Sequence, residues 1–318
     1  MDSAQNLIAT AYSVEDNFFI DLAPLDGNCV HPQTAGPTLF LPELPESGGR
    51  EEGWRIKGFG KYIAVRHSIV LGGWGPGSRK WMAAWWMQIW DWQHSTASKS
   101  VLHGILSSET SSADDPSDFC FLENNRLFVV TENLELFSIE DMSQLLACFL
   151  LPISTTTIEI IYNPRPRTQA QGTTWISDPK DQLLSIVAWN PNVFFIVPTR
   201  IFFDLDFLEG RAVIPWQYWG PLNSRVFHHH WRCETATIGN RVFQGFPAID
   251  MNMPADDVPD GTEYKLHMMD FSPLAVKRCQ GVGQVVEEPS TIVLEGQFIT
   301  TSLPYVGVTL ERKFLYRE

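Results

Sequence analysis

"DQLLSIVAWNPNVFFIVPTRIFFDLDF", residues 181–207, decides the fold class. Three apolar runs, 183–189, 193–197 and 200–207, follow one another with only Asn-Pro-Asn and Pro-Thr between them. Each run is short, rich in β-branched and aromatic residues, and bounded by turn formers, so each reads as a strand. The rest of the chain repeats the pattern. "NLIATAY" (6–12), "NFFIDLA" (17–23), "KYIAVRH" (61–67), "MQIWDWQ" (87–93), "DFCFL" (118–122), "RLFVV" (126–130) and "LELFSI" (134–139) lie before it. "TIEIIY" (157–162) also lies before it, and "RVFQGF" (241–246) and "YKLHMMDF" (264–271) come after. Only "IEDMSQLLACFLL" (139–151) suits a helix, and it suits a turn followed by a strand equally well.

The runs form a recurring unit, in which an apolar strand and a short turn lead to a strand closing on an aromatic residue and an acid. Closing strands begin near Met87, Leu134, Ile201 and Leu266. Blades of roughly 40–50 residues would give about six or seven in this length. The expectation is therefore an all-β, propeller-like ring of short-stranded blades, each buried against its neighbours. The rival architectures are a β-sandwich and two smaller β domains. No linker divides the chain convincingly, so residues 1–318 are expected to form a single domain.

Composition fits this reading. Of 318 residues, 44% are hydrophobic and 19% charged, which gives a full core and excludes general disorder. The 22 Gly and 21 Pro suit many turns. With 23 Lys and Arg against 37 Asp and Glu, the net charge is −14, which disfavours nucleic acid and anionic membrane surfaces as partners. Five scattered cysteines with no CxxC pair fit reduced thiols in the cytoplasm or nucleus. The start of the chain has no basic, then apolar, signal-peptide pattern. The longest apolar run, 145–153, falls short of the roughly 20 residues needed to span a bilayer.

Several blocks carry a family resemblance. In chain order they are "MDSAQNLIATAY" (1–12), "FFIDLAPLDGNCVHPQTAGP" (18–37), "MQIWDWQHST" (87–96) and "WISDPKDQLLSIV" (175–187). "VFFIVPTRIFF" (193–203), "VIPWQYWGPLNSRVF" (213–227) and "TTSLPYVGVTLERKF" (300–314) follow. With these blocks the chain resembles the C-terminal region of the F-box proteins of mushroom-forming fungi. The resemblance implies a non-enzymatic, propeller-like substrate-recognition domain that needs no cofactor. It also implies an N-terminal F-box helix pair that docks on the adaptor of a cullin-RING ubiquitin ligase. Residues 1–25 alternate instead of following helical spacing, so the F-box is absent here, and adaptor docking is expected only if one lies upstream in the full gene. Relatives continue past the position of Glu318 into another strand. A missing strand would leave a sheet edge open to a helper chain or a second copy.

Candidate sites follow from residue type and spacing. In 213–227, Trp216, Tyr218 and Trp219 suit stacking on a ligand. The favoured reading is scaffold, with Pro215 and Pro221 stiffening the backbone, Gly220 permitting a bend, and Trp216 and Trp219 filling space between blades. "HHHWRC" (228–233) places His228 and His230 on one face of a regular strand and Cys233 on the other. That supplies half of a tetrahedral zinc site, so the two histidines are weak metal candidates. "DMNMPADDVPDGTE" (250–263) carries Asp256, Asp257, Asp260 and Gly261 but departs from the EF-hand order. "GGWGPGSRKW" (72–81) lacks a phosphate-loop pattern and offers Trp74 and Trp81 as partner contacts. The motifs GxSxG and HExxH do not occur. The rival function is a propeller hydrolase of glycosidase or lactonase type, with acids at the central channel.

Overall fold

The computed structural model describes residues 5–14, 17–27, 29–40, 50–72, 81–98, 100–108, 118–122, 125–154, 158–162, 179–189, 191–204, 212–230, 232–248, 263–278 and 283–315. Among them are 23 strands, two short α-helices and two 3-10 turns, so the protein is all-β. These residues fall into two compact units, one ending at Ala147 and the other beginning at Cys148.

In the first unit, β1 (Leu7–Val14), β2 (Asn17–Pro24) and β3 (Thr38–Phe40) form an antiparallel sheet in chain order. β4 (Arg50–Phe59), β5 (Tyr62–Gly72), β6 (Trp81–Asp91) and β7 (Ser100–Ser108) form a four-stranded meander. β8 (Asp118–Leu122), β9 (Arg126–Val130), β10 (Leu134–Ser138) and β11 (Leu145–Phe149) follow in the same way, and the unit boundary falls inside β11. The segment 139–144 is therefore turn and 145–149 strand, so the helix alternative for 139–151 does not form.

Side chains on a strand alternate between faces, and both faces of β5 and β6, the central strands of the β4–β7 meander, are buried. Ile63, Val65 and Trp90 pack with Leu7, Ile20, Leu22 and Leu39 of the first sheet. Their neighbours Ala64, Trp85, Met87 and Ile89 pack with Phe119, Phe121, Leu127 and Val129 of the third. This double burial is why "WMAAWWMQIWD" has no polar face. Two features reinforce the stack. Trp54, His67, Trp86 and His103 stand opposite one another across the four strands, with the His67 ring 4.1 Å from Trp54 and 6.2 Å from Trp86. Asp118, 1% exposed, accepts from Lys57 Nζ at 2.9 Å and from the Phe119 N–H at 2.8 Å, with an Arg55 nitrogen 3.4 Å away. It thereby ties β8 to β4.

The second unit contains β12 (Ile158–Ile161), β13 (Leu183–Trp189), β14 (Asn192–Pro198), β15 (Val213–Ile214), α1 (Trp216–Asn223) and β16 (Arg225–His228). β12, β13, β14 and β16 form one antiparallel sheet, and β15 pairs in parallel with Cys148 and Phe149. β17 (Glu234–Ile238), β18 (Arg241–Pro247), β19 (Glu263–Asp270), α2 (Pro273–Arg278) and β20 (Gln284–Val286) follow. The last strands are β21 (Ser290–Leu294), β22 (Gln297–Thr301) and β23 (Tyr305–Leu315). The second sheet runs β17-β18-β19-β23-β20, and β21–β22 is a separate hairpin. That hairpin turns on Glu295 and Gly296, both at positive φ, as a tight two-residue turn between twisted strands requires.

One face of β13–β14, with Leu183, Val187, Phe194 and Ile196, packs on Val242, Met269 and Tyr305 of the second sheet. The opposite face, with Leu184, Ile186, Ala188 and Phe195, is equally buried, and Trp216 meets Phe195 there. The third run of the opening stretch is not a strand. Thr199–Phe202 is a 3-10 turn, and residues 205–207 lie outside the described residues. Pro198 offers no N–H to extend a ladder, and the Thr199 N–H donates to the Gln182 carbonyl at 2.9 Å. Ile201 and Phe202 are buried all the same. The apolar content that suggests a strand serves an inward-facing turn.

Candidate recognition site

Residues 213–227 fold as strand, helix and strand. Pro215 has an extended backbone, φ −61° and ψ 147°, and leads directly into α1. Trp219 is 1% exposed; its Nε1 donates to the Leu150 carbonyl at 3.2 Å, and its ring meets the edge of Phe149 at 5.6 Å. Trp216 is half-buried, 4.8 Å from Trp219. Gly220 is required by this pairing, because a Cβ there would stand 2.3 Å from Trp216 ring atoms. Pro221 lies inside the helix, and its carbonyl accepts from the Ser302 N–H at 2.9 Å and Oγ at 3.1 Å. The helix end is satisfied by Asn223 Nδ2 on the Trp219 carbonyl and Ser224 Oγ on the Gly220 carbonyl. Of the three rings suited to ligand stacking, only Tyr218 is more exposed than buried, at 60%.

The histidine run departs from a regular strand. β16 ends at His228, which is exposed, while His229 is buried and His230 half-buried. The His229 N–H donates to the Asn192 carbonyl, and the chain then turns, with the Cys233 N–H on the His230 carbonyl at 2.8 Å. His230 Nδ1 accepts from the Arg232 N–H. The expected sharing of one strand face by His228 and His230, with Cys233 opposite, therefore does not hold. Among the described residues no three His, Cys, Asp or Glu side chains gather as a metal would need. The His229 ring lies 5.0 Å from Trp189 and 6.2 Å from Phe194, and burial pushes its pKa down, with His230 adding to the effect. Burial also raises the Cys233 thiol. Cys29, Cys120 and Cys233 are free thiols.

Trp74 and the acidic segment 250–262 lie outside the described residues; Trp81 begins β6, and its side chain is likewise outside them. No described helix is long and apolar enough to cross a membrane.

A site without a sequence motif lies at one end of the second unit, where a cleft of about 350 Å³ opens. Leu183, Phe271 and Leu303 are buried and supply its floor, and Pro198 and Pro304 flank it. Its charged lining comes from four separate connections. Lys180 and Asp181 lie on the 3-10 turn before β13, Arg200 on the turn after β14, Lys277 in the last turn of α2, and Glu287 after β20. The turn between β17 and β18 adds Asn240 to the lining and is held by the Leu183 N–H on the Gly239 carbonyl at 3.0 Å and the Phe271 N–H on the Asn240 carbonyl at 2.8 Å. No pair of the charged residues is close in sequence except Lys180 and Asp181, so no local pattern marks the site.

No protein-family model matches the chain, and no curated protein matches it.

Proposed function

We propose that the chain is a non-enzymatic protein-recognition domain, a propeller-like ring of about six or seven short-stranded blades. The proposed counterpart is the substrate-recognition region of fungal F-box proteins. The observation that carries this reading is the stacking in the first unit, where β5 and β6, the central strands of the β4–β7 meander, pack on one antiparallel sheet with one face and on another with the opposite face. A blade packed between neighbouring blades has this burial. The burial of Trp219 beside Phe149 supports a framework role for 213–227 that leaves target choice to other surfaces. The partner class is a protein in the cytoplasm or nucleus. A net charge of −14 opposes nucleic acid and anionic membranes.

The rival hydrolase draws on Asp181 and Glu287, the two carboxylates of the cleft. A glycosidase pair needs one acid kept protonated, usually by an apolar pocket. Both carboxylates here are exposed and share the cleft with three cations, an arrangement that favours recognition by ion pairing.

Proximity labelling with the tagged chain in a mushroom-forming host tests the reading. The expected result is a defined protein that then binds the purified chain with fixed stoichiometry. Recovery of no protein beyond an unrelated β-rich control would overturn it. A gene product carrying an F-box upstream of Met1 is expected to co-purify with the ligase adaptor, and failure to do so removes the ligase role.

A further inference from the structure

We infer that the cleft at the end of the second unit docks a short protein segment in which a bulky apolar residue stands next to one or two carboxylates. The inference rests on the recognition-domain reading and adds the chemistry of the bound segment. The cleft volume of about 350 Å³ is at the small end of the range for ligand sites and suits one or two side chains. Its floor is apolar and buried, so an inserted Leu or Phe side chain would leave water for hydrocarbon and aromatic contact.

The rim fixes the rest. Lys180, Arg200 and Lys277 reach the cleft from three different connections. Among the described residues, the Arg200 and Lys277 side chains make no hydrogen bond or ion pair, although Asp181 and Glu287 line the same cleft. No described residue therefore neutralises their charge. On a chain with 23 cations and 37 acids, a cleft with three cations and two acids is a local reversal of sign. The same balance limits the occupant. A long acidic tract would be repelled by Asp181, Glu287 and the overall charge, whereas one or two carboxylates beside the anchor fit the guanidinium and ammonium groups.

The test uses the full chain and fluorescein-labelled, C-terminally amidated heptapeptides, read by anisotropy. One carries Asp-Phe-Asp at its centre; controls carry Asn-Phe-Asn, Asp-Ala-Asp and Lys-Phe-Lys. A fourth control ends in Phe with a free carboxylate and has no internal acid. Saturable binding is expected for Asp-Phe-Asp, weakening with added salt, and lost with Ala at the anchor or with Lys flanks. Arg200→Ala and Lys277→Ala should each weaken it about five- to tenfold. Both residues are exposed, so these variants keep the fold, and circular dichroism checks that. Absence of saturable binding, equal binding of the Ala-anchored peptide, or unchanged affinity in both variants overturns the proposal. So does preference for the free-acid peptide, which would make the occupant a chain terminus. If a partner from proximity labelling binds Arg200→Ala and Lys277→Ala at full strength, the cleft assignment fails while the recognition reading stands. If no protein partner exists, the recognition reading fails and takes the docking proposal with it, whatever the peptide does.

Discussion

Gly220 keeps its place because Trp216 leaves no room for a methyl group. Gly220→Ala must push the indole off α1 and is expected to cost about 1–3 kcal/mol, the range for overpacking. Urea denaturation measures it. Trp216→Ala should remove most of that cost, so the double variant should be more stable than the two separate losses add up to. Trp219→Ala is expected to cost more, about 3–5 kcal/mol, since a fully buried ring and its hydrogen bond to Leu150 both go. Two histidines set a pH dependence at the same scale. Burial lowers the pKa of both His229 and His267 in the fold. In the unfolded chain each titrates near about 6.5. Between the two values the unfolded state holds more protons, so stability rises with pH. It is complete above the unfolded value and is lost as pH falls through the depressed folded values. The urea midpoint should therefore be lower at pH 5.5 than at pH 7.5, and His229→Gln should flatten that slope even if it lowers the midpoint throughout.

At the scale of single elements, Asp118 links strands that no sequence pattern connects. Asp118→Asn keeps the shape of the side chain and removes its charge, weakening its hold on Lys57 and Arg55. Both cations are about one-third exposed, so solvent screens part of the loss. The expected cost is about 1–3 kcal/mol, and a comparison of unfolding midpoints at low and high salt should show the gap narrowing. The strands that the sequence makes legible are those buried on two faces, such as β13 and β14, where unbroken apolar runs stand between turn formers. β17, β21 and β22 are not legible in this way. "ETATI", "STIVL" and "QFITT" bury threonines such as Thr237 and Thr301 and expose apolar residues such as Val293 and Phe298, so they lack the apolar density that marks a core strand. α1 is hidden for another reason. Two prolines and a glycine within nine residues oppose a helix by propensity, and packing of Trp216 and Trp219 overrides it. The cleft is the least legible feature. Lys180, Arg200, Lys277 and Glu287 are gathered by turns at the ends of strands, and strand patterns say little about where turns aim their side chains.

Across the whole molecule, burial on two faces should rank the strands by how they open. β5, β6, β13 and β14 are covered on both sides, and β13 and β14 are almost wholly solvent-free. Their backbone amides are bonded to strands on either side, so exchange there needs the surrounding sheets to separate. β21–β22 is a two-stranded hairpin that exposes Val293 and Phe298, the latter at 78%, on its outer side. An isolated hairpin is marginal in water and depends on what lies under its inner side. β20 is three residues long with one neighbour, β23. Native-state hydrogen exchange followed by mass spectrometry should therefore find β5, β6, β13 and β14 slowest, with urea-dependent exchange that tracks unfolding of the whole sheet. β20 to β22 should exchange fastest among the strands and with little dependence on urea. Because β3 and β7 are sheet edges, they should fall between these limits. Uniform protection across all strands would mean that the stacked layers open as one body, and equal rates in β6 and β22 would contradict double burial as the source of stability. Trp216→Ala offers an internal control, since it uncovers Phe195 on the α1 side of β13–β14 and should speed exchange there while leaving β5 and β6 unchanged.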